Sequence, residues 1–265
     1  MINLHMHSTF SDGKNTIFEM CEAAEKAKLK IISFTEHCVI GNNTPFYWRM
    51  NNRRIGAYCR EVERTQDNFK LKVLCGLEID YIKGKERLIE KTAEKYPLDF
   101  VLGAAHLLNG VHVYAQNSKP LYDKYGTRGV FERYFDNAVL AIESGLFDSF
   151  AHLDIVRRYT DEMMNTPVKL SMYKDKIEEL IDALKTNKHA FELNMSYMYK
   201  KTMYPNMKIL KLCYGAGLRD VTYGGDSHNV GKVNKRIDYG LKILKDIGFK
   251  KVCYFEKRKK KKITI

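Results

Sequence analysis

The chain has 265 residues, 45% of them hydrophobic and 29% charged, ordinary proportions for a soluble globular protein and enough length for one large domain with its own core. No run of 18 or more apolar residues occurs, and the opening MINLHMHSTFSDG lacks a basic start followed by an apolar stretch, so neither a membrane-spanning helix nor a secretory signal is expected. The formal net charge of +13 favours anionic partners such as phosphates, nucleic acid or membrane surfaces.

In chain order, the first short apolar run is 2–5. Residues 16–28 then place Ile17, Met20, Cys21, Ala24 and Ala27 at helical spacing, with Asn15 or Thr16 as the N-cap. A strand at 31–35 is followed by a helix over 53–68, and strands follow at 73–78 and 100–105. A helix is expected at 129–144, a strand at 149–152 and a helix at 171–186. The pattern continues with a strand at 190–194, a helix at 207–216, a strand at 221–225 and a helix at 235–247. Short buried-type strands alternating with helices imply a parallel sheet with right-handed crossovers. About seven such units without a linker point to a single α/β domain, a distorted (β/α)7 TIM-like barrel over 1–256. Residues 257–265, with Lys257, Arg258, Lys259, Lys260, Lys261 and Lys262, read as a frayed, solvated basic tail. The six cysteines form no CxxC and no framework, which suits reduced thiols in the cytoplasm, and Cys38 reads as a bystander. No GxGxxG or GxxxxGK[ST] loop is present, so nucleotide binding has no support.

The ends of the strands carry the chemistry. The first ends in His5-Met6-His7, the second in Glu36-His37, the third at Glu78 and Asp80. The fourth ends at His106, the fifth at His152 and Asp154, the sixth at Glu192 and Asn194, and the seventh in Asp226-Ser227-His228. In β/α barrels the C-terminal rim of the strands is where active sites are built. His5 and His7 are two apart, so on a strand they share a face; Asp226 and His228 repeat the spacing. Imidazole and carboxylate together suit zinc, manganese or iron. A glutamate such as Glu78 can bridge two ions, and a pair of divalent ions can clamp a phosphoryl group and activate water at neutral pH. His189 lies at the start of its strand and reads as structural; His112 stays open.

With these residues in view, the sequence resembles the polymerase-and-histidinol-phosphatase (PHP) family over nearly its whole length. The resemblance rests on HMHS with Asp12-Gly13, Phe34-Thr35-Glu36-His37, Gly76-Leu77-Glu78, His106, His152-Leu153-Asp154, Glu192-Leu193-Asn194 and Gly225-Asp226-Ser227-His228. It implies a distorted (β/α)7 barrel and two or three divalent ions. His5, His7, Glu78 and Asp226 would hold the first; Asp12, His37 and His228 the second; Glu78, bridging, with His106 and His152 the third. The aspartate at position 12, histidine in some relatives, and the HLDIVRRY segment look like the histidinol-phosphate phosphatase branch. There an arginine shortly after the fifth-strand histidine binds substrate phosphate, and both Arg157 and Arg158 qualify. The run Gly103-Ala104-Ala105-His106 departs from a Gly-Ser-Val-His-like pattern. The run from Ser196 to Lys200 departs from a Ser-Gly-Leu-Arg-Lys-like one, so its basic contact is lost or passes to Lys200 or Lys201.

The implied reaction is hydrolysis of a small phosphomonoester, L-histidinol phosphate, with the leaving-group proton from Asp12, His37 or water. The runner-up is a phosphodiesterase or exonuclease of the same fold, which the basic tail mildly favours although no dedicated nucleic-acid motif is present. A non-catalytic metal-binding regulatory module and an amidohydrolase-like reaction are further alternatives, and no membrane partner is expected.

Overall fold

The structure, a computed structural model, describes residues 1–41, 47–196 and 202–265. The first four strands are β1 (Ile2–Met6), β2 (Ile31–Cys38), β3 (Lys72–Asp80) and β4 (Phe100–Ala104). A short antiparallel hairpin of β5 (Leu107–Leu108) and β6 (Val111–His112) follows, then β7 (Ser149–Phe150), β8 (Ala190–Asn194) and β9 (Val221–Gly224). Seven of these form one all-parallel sheet in the order β1-β2-β3-β4-β7-β8-β9. Nearly every residue in them is buried, which is why they read as continuous apolar runs rather than alternating ones. The sheet curls until its edges meet: His7 N donates to Ser227 O at 2.9 Å and Ser227 N to His5 O at 3.1 Å. The expected distorted seven-stranded barrel is thus what forms, closed by a bridge at the rim between Met6 and Ser227.

The outer helices are α1 (Ile17–Lys26), α2 (Ile55–Gln66), α3 (Glu86–Lys95), α4 (Lys119–Glu143), α5 (Lys174–Thr186), α6 (Met207–Gly215) and α7 (Ile237–Ile247). Of the two candidate caps for α1, Thr16 is the one used. Its hydroxyl accepts from Glu19 N at 3.2 Å while the Glu19 carboxylate accepts from Thr16 N at 2.8 Å, a reciprocal capping box. Helix α3 was not expected because it buries only Ile89 and Ala93, too few apolar positions to show a period. Helix α4 begins ten residues before the expected start and is interrupted at Gly126, whose φ of 65° only glycine adopts cheaply.

The C-terminal residues differ from expectation. Instead of fraying, β10 (Lys251–Glu256) and β11 (Lys259–Thr264) pair antiparallel across a two-residue turn, Lys257-Arg258, with φ of 51° and 61°. Val252, Cys253 and Phe255 are buried, and Phe255 stacks on Phe100 at 5.4 Å. The main chain and basic side chains of the hairpin meet acids placed immediately before strands of the barrel. Asp99 accepts from Lys257 N at 2.9 Å, Arg258 pairs with Asp148 at 2.6 Å, and Lys260 and Lys262 pair with Asp220 at 2.5 and 2.6 Å. The hairpin therefore closes the end of the barrel where the strands begin. The lysines are solvated, as expected, but the chain beneath them is anchored.

Candidate metal centre

At the other end, the strands deliver their last side chains into one space. His5, on β1, points Nε2 at Glu78 Oε2 (3.4 Å) and Asp226 Oδ1 (3.7 Å). His7 Nε2 lies 3.3 Å from Asp226 Oδ1 and 3.9 Å from Glu78 Oε2. His37, on β2, has Nδ1 2.7 Å from Glu78 Oε2 and Nε2 3.7 Å from Asp12 Oδ1. His228 closes the circle, with Nε2 3.2 Å from Asp12 Oδ1 and Nδ1 3.4 Å from Asp226 Oδ1. The other oxygen of Glu78 faces His152 Nε2 (2.9 Å) and His106 Nε2 (3.4 Å), and these two nitrogens are 3.1 Å apart. All nine candidate ligands therefore stand at the rim, with Glu78 in the middle, although His152 joins none of the groups of three or more converging donors.

The donor atoms fall into three overlapping groups whose members lie within 4.8 Å of one another: His7, Asp12, His37 and His228; His5, His7 and Asp226; and His37, Glu78 and His106. His7 and His37 each stand in two groups, so the boundaries between ion positions run through these two rings. Several of the donors are buried without hydrogen-bond partners: His5 Nε2, His7 Nε2, Asp12 Oδ1, Glu78 Oε2 and Asp226 Oδ1. Orphaned buried polar atoms are rare and costly, and divalent cations held among them would satisfy them. The residues thus fit a metal cluster of nitrogen and oxygen donors.

Electrostatics agree. Burial works against ionising Glu78, yet the surrounding His5, His106, His37 and His152 hold its carboxyl well below the ordinary range. Asp226 is held low in the same way, with His5, His7 and His228 outweighing burial. Burial, together with the neighbouring His37 and His228, pushes His7 down to about 3, so its ring is neutral and free to coordinate. Burial opposes charge on His106 and His228, but Asp80 with Glu78, and Asp12 with Asp226, raise them to about 9. A divalent cation held there would compete with protons for the same nitrogens and oxygens.

Three further strand-end acids contact the candidate ligands or the turn that carries one of them. Asp80 accepts from His106 N at 2.8 Å and lies 3.1 Å from its Nδ1. Its spacing of two from Glu78 on β3, which puts both on one face, was the available signal. Glu192 contacts both His5 and His152. Glu36 anchors the turn carrying Asp12 by accepting from the backbone and hydroxyls of Ser8 and Ser11. Two of the ligands sit at positive φ without being glycine, His152 at 25° and Asp226 at 48°, a strain that clusters at functional sites.

A cavity of about 870 Å³ opens above the donors, walled by Trp48, His112, Tyr114, Arg158, Lys14 and Lys232. His112 belongs to this wall, edge-on to Trp48 (4.9 Å) and Tyr114 (5.3 Å). The two candidate arginines point in different directions, though both pair with acids: Arg158 Nε lies 3.7 Å from Glu162 Oε2. Arg158 lines the cavity, its guanidinium over the Tyr114 ring at 5.1 Å. Arg157 turns away, bonded to Asp154 at 2.6 Å and Asp161 at 2.9 Å. Lys200 and Lys201 lie outside the described residues. His189 is buried with Nδ1 2.7 Å from Ala190 O, remote from the cavity. Burial pushes the Cys38 thiol up to about 12, which leaves it an inert neighbour of His37.

A PHP domain model matches residues 3–196 of the chain. A probable histidinol-phosphatase of Clostridium acetobutylicum is 33% identical over 264 residues, 97% of this chain and 98% of that protein. Another from Deinococcus radiodurans is 26% identical, covering 94% of this chain and 95% of its own. Among solved structures, histidinol phosphate phosphatase from Lactococcus lactis subsp. lactis, complexed with zinc, L-histidinol and phosphate, superposes with a TM-score of 0.84 at 24% identity over 98% of both chains, which shows a shared fold. Barrel, rim and matched model together establish that the chain belongs to the PHP domain family.

Proposed function

We propose that this chain is a metal-dependent histidinol-phosphatase, hydrolysing L-histidinol phosphate to L-histidinol and phosphate in the cytoplasm. The observation that carries the reading is the convergence of histidines and acids around Glu78 beneath an open cavity. The substrate is taken from the activity named for relatives that match end to end. Six free cysteines suit a reducing compartment.

Two or three zinc, manganese or iron ions would be held by His5, His7, Glu78 and Asp226; by Asp12, His37 and His228; and by Glu78, His106 and His152. When bound, such ions supply positive charge to phosphoryl oxygens and lower the pKa of water enough to give a nucleophile at neutral pH. Arg158 is the group we assign to the phosphate, since its fork can grip two oxygens and it borders the cavity. Arg157, committed to Asp154 and Asp161, holds the segment that presents its neighbour. The departing alkoxide needs a proton; because, despite its burial, Asp12 is held ionised by His228 and His37, and both Asp12 and His37 would be occupied by an ion, we assign its delivery to water in the cavity beside them. Trp48, His112 and Tyr114 line the part of the cavity we assign to the leaving group.

Phosphate release from L-histidinol phosphate by the metal-loaded protein tests the reading. Turnover should fall by at least a thousandfold in His5→Ala and Asp226→Ala while circular dichroism is unchanged. Ordinary turnover in either variant, or none in the loaded wild type, would count against it. The basic hairpin lies at the barrel end away from the cavity, where Arg258, Lys260 and Lys262 pair with Asp148 and Asp220, so it does not extend the cavity toward a nucleic-acid strand.

A further inference from the structure

Glu192, on β8, is buried and, like His152, belongs to none of the groups of three or more donors at the rim, but whereas His152 Nε2 reaches Glu78 Oε1 at 2.9 Å, Glu192 faces the far side of the histidines. Both of its oxygens are nevertheless in use, on two different ligands. Oε1 lies 2.7 Å from His5 Nδ1, while Oε2 accepts from the backbone N–H of His152 at 2.9 Å and from Asn194 Nδ2 at 3.0 Å. A carboxylate at Nδ1 fixes the proton of His5 there and leaves its Nε2 lone pair aimed at Glu78 and Asp226. The bond to His152 is to the main chain, at the residue whose φ of 25° is strained, and it holds the backbone from which that ring reaches Glu78.

The fold makes room for this arrangement at one point. Gly224, the register partner of Asn194 on β9, lies against the Glu192 carboxylate, and a Cβ there would meet Glu192 Oε1 at 1.9 Å and His5 Cβ at 2.7 Å. Asp80 provides the contrast, for both its oxygens go to His106 alone.

We propose that Glu192 is a positioning residue that ties together two ion positions, the one built on His5 and the one built on His152, so that a single carboxylate sets the affinity of both. The inference rests on the metal-cluster reading of the rim but not on the identity of the substrate. It is tested on the whole chain by titrating Mn²⁺ and Zn²⁺ into stripped wild type, Glu192→Gln and Asp80→Asn, counting ions bound per chain and measuring each Kd, beside circular dichroism and the apo melting temperature. Glu192→Gln should weaken two ions by about 10–100-fold each with the apo fold retained, and Asp80→Asn should weaken one. Glu192→Asp, which keeps the charge but withdraws it by one methylene, should also weaken two, and it decides the matter if the glutamine variant does not fold. Full ion content at wild-type affinity in the folded variants, or weakening of only one ion, overturns the proposal. Neither outcome depends on turnover of histidinol phosphate, so a failure here is distinguishable from a wrong substrate.

Discussion

Arg157 and Arg158 are adjacent and chemically identical, and their surroundings give them different work. Removing the Arg157 side chain strips a charge partner from Asp154, which is fully buried, so Arg157→Ala should cost about 3–5 kcal/mol in urea unfolding. Arg158→Ala removes a looser pairing, 3.7 Å from the largely buried Glu162, and should cost less, about 1–3 kcal/mol, but lose on the order of 10–100-fold in kcat/KM for L-histidinol phosphate, the effect expected for a charged hydrogen-bonding group on phosphate. The reverse pattern would exchange their roles. His189 gives a pH prediction away from the cavity. Burial lowers its pKa below the ordinary 6.5, so the folded chain keeps it neutral where the unfolded chain takes up a proton. Its contribution to stability is complete above that value and is lost as the pH falls through it; His189→Gln should flatten the acid side of the unfolding curve between pH 7 and 5. The sequence showed which residue types stand at the rim, because a parallel barrel brings successive strand ends together. It could not separate the two arginines, whose directions depend on a turn whose acids, Asp154 and Asp161, are themselves placed by the fold. Nor could it show Glu192 beneath His5, since β1 and β8 meet that way only once the barrel has closed.

The C-terminal hairpin shows the same limit at the level of elements. A run of lysines reads as solvated by composition, and its exposed face is. Its anchorage comes from Phe255 on Phe100 and from acids standing just before β4, β7 and β9, none of which is near in sequence. Arg258→Ala leaves Asp148 largely buried without its cation and should cost about 1–3 kcal/mol, whereas Lys261→Ala, paired at an exposed site with Glu256, should change stability by less than about 1 kcal/mol. Chemical denaturation of the two variants side by side measures the difference. Strands were legible to within a few residues because their burial on both faces leaves an unbroken apolar run. Helix α3 was not, for it covers the barrel with two side chains only.

For the whole molecule, the rim is an arrangement of like and unlike charges that a cation relaxes. Divalent ions should stabilise the fold by about 2.7 kcal/mol for each ion present at a hundred times its Kd. For a chain of this size a chelator should then lower the melting temperature on the order of 5–10 °C per ion removed. A melting temperature indifferent to chelation and reloading would argue that nothing binds there. Scattering measured from crystals grown with Mn²⁺ or Zn²⁺, on either side of the metal absorption edge, asks the question most directly. Anomalous peaks should appear among His5, His7, Glu78 and Asp226 and beside His37 and His106, with Glu78 reaching more than one of them. A map without peaks at the rim, or with peaks only on the surface, would contradict the metal centre and with it the phosphatase.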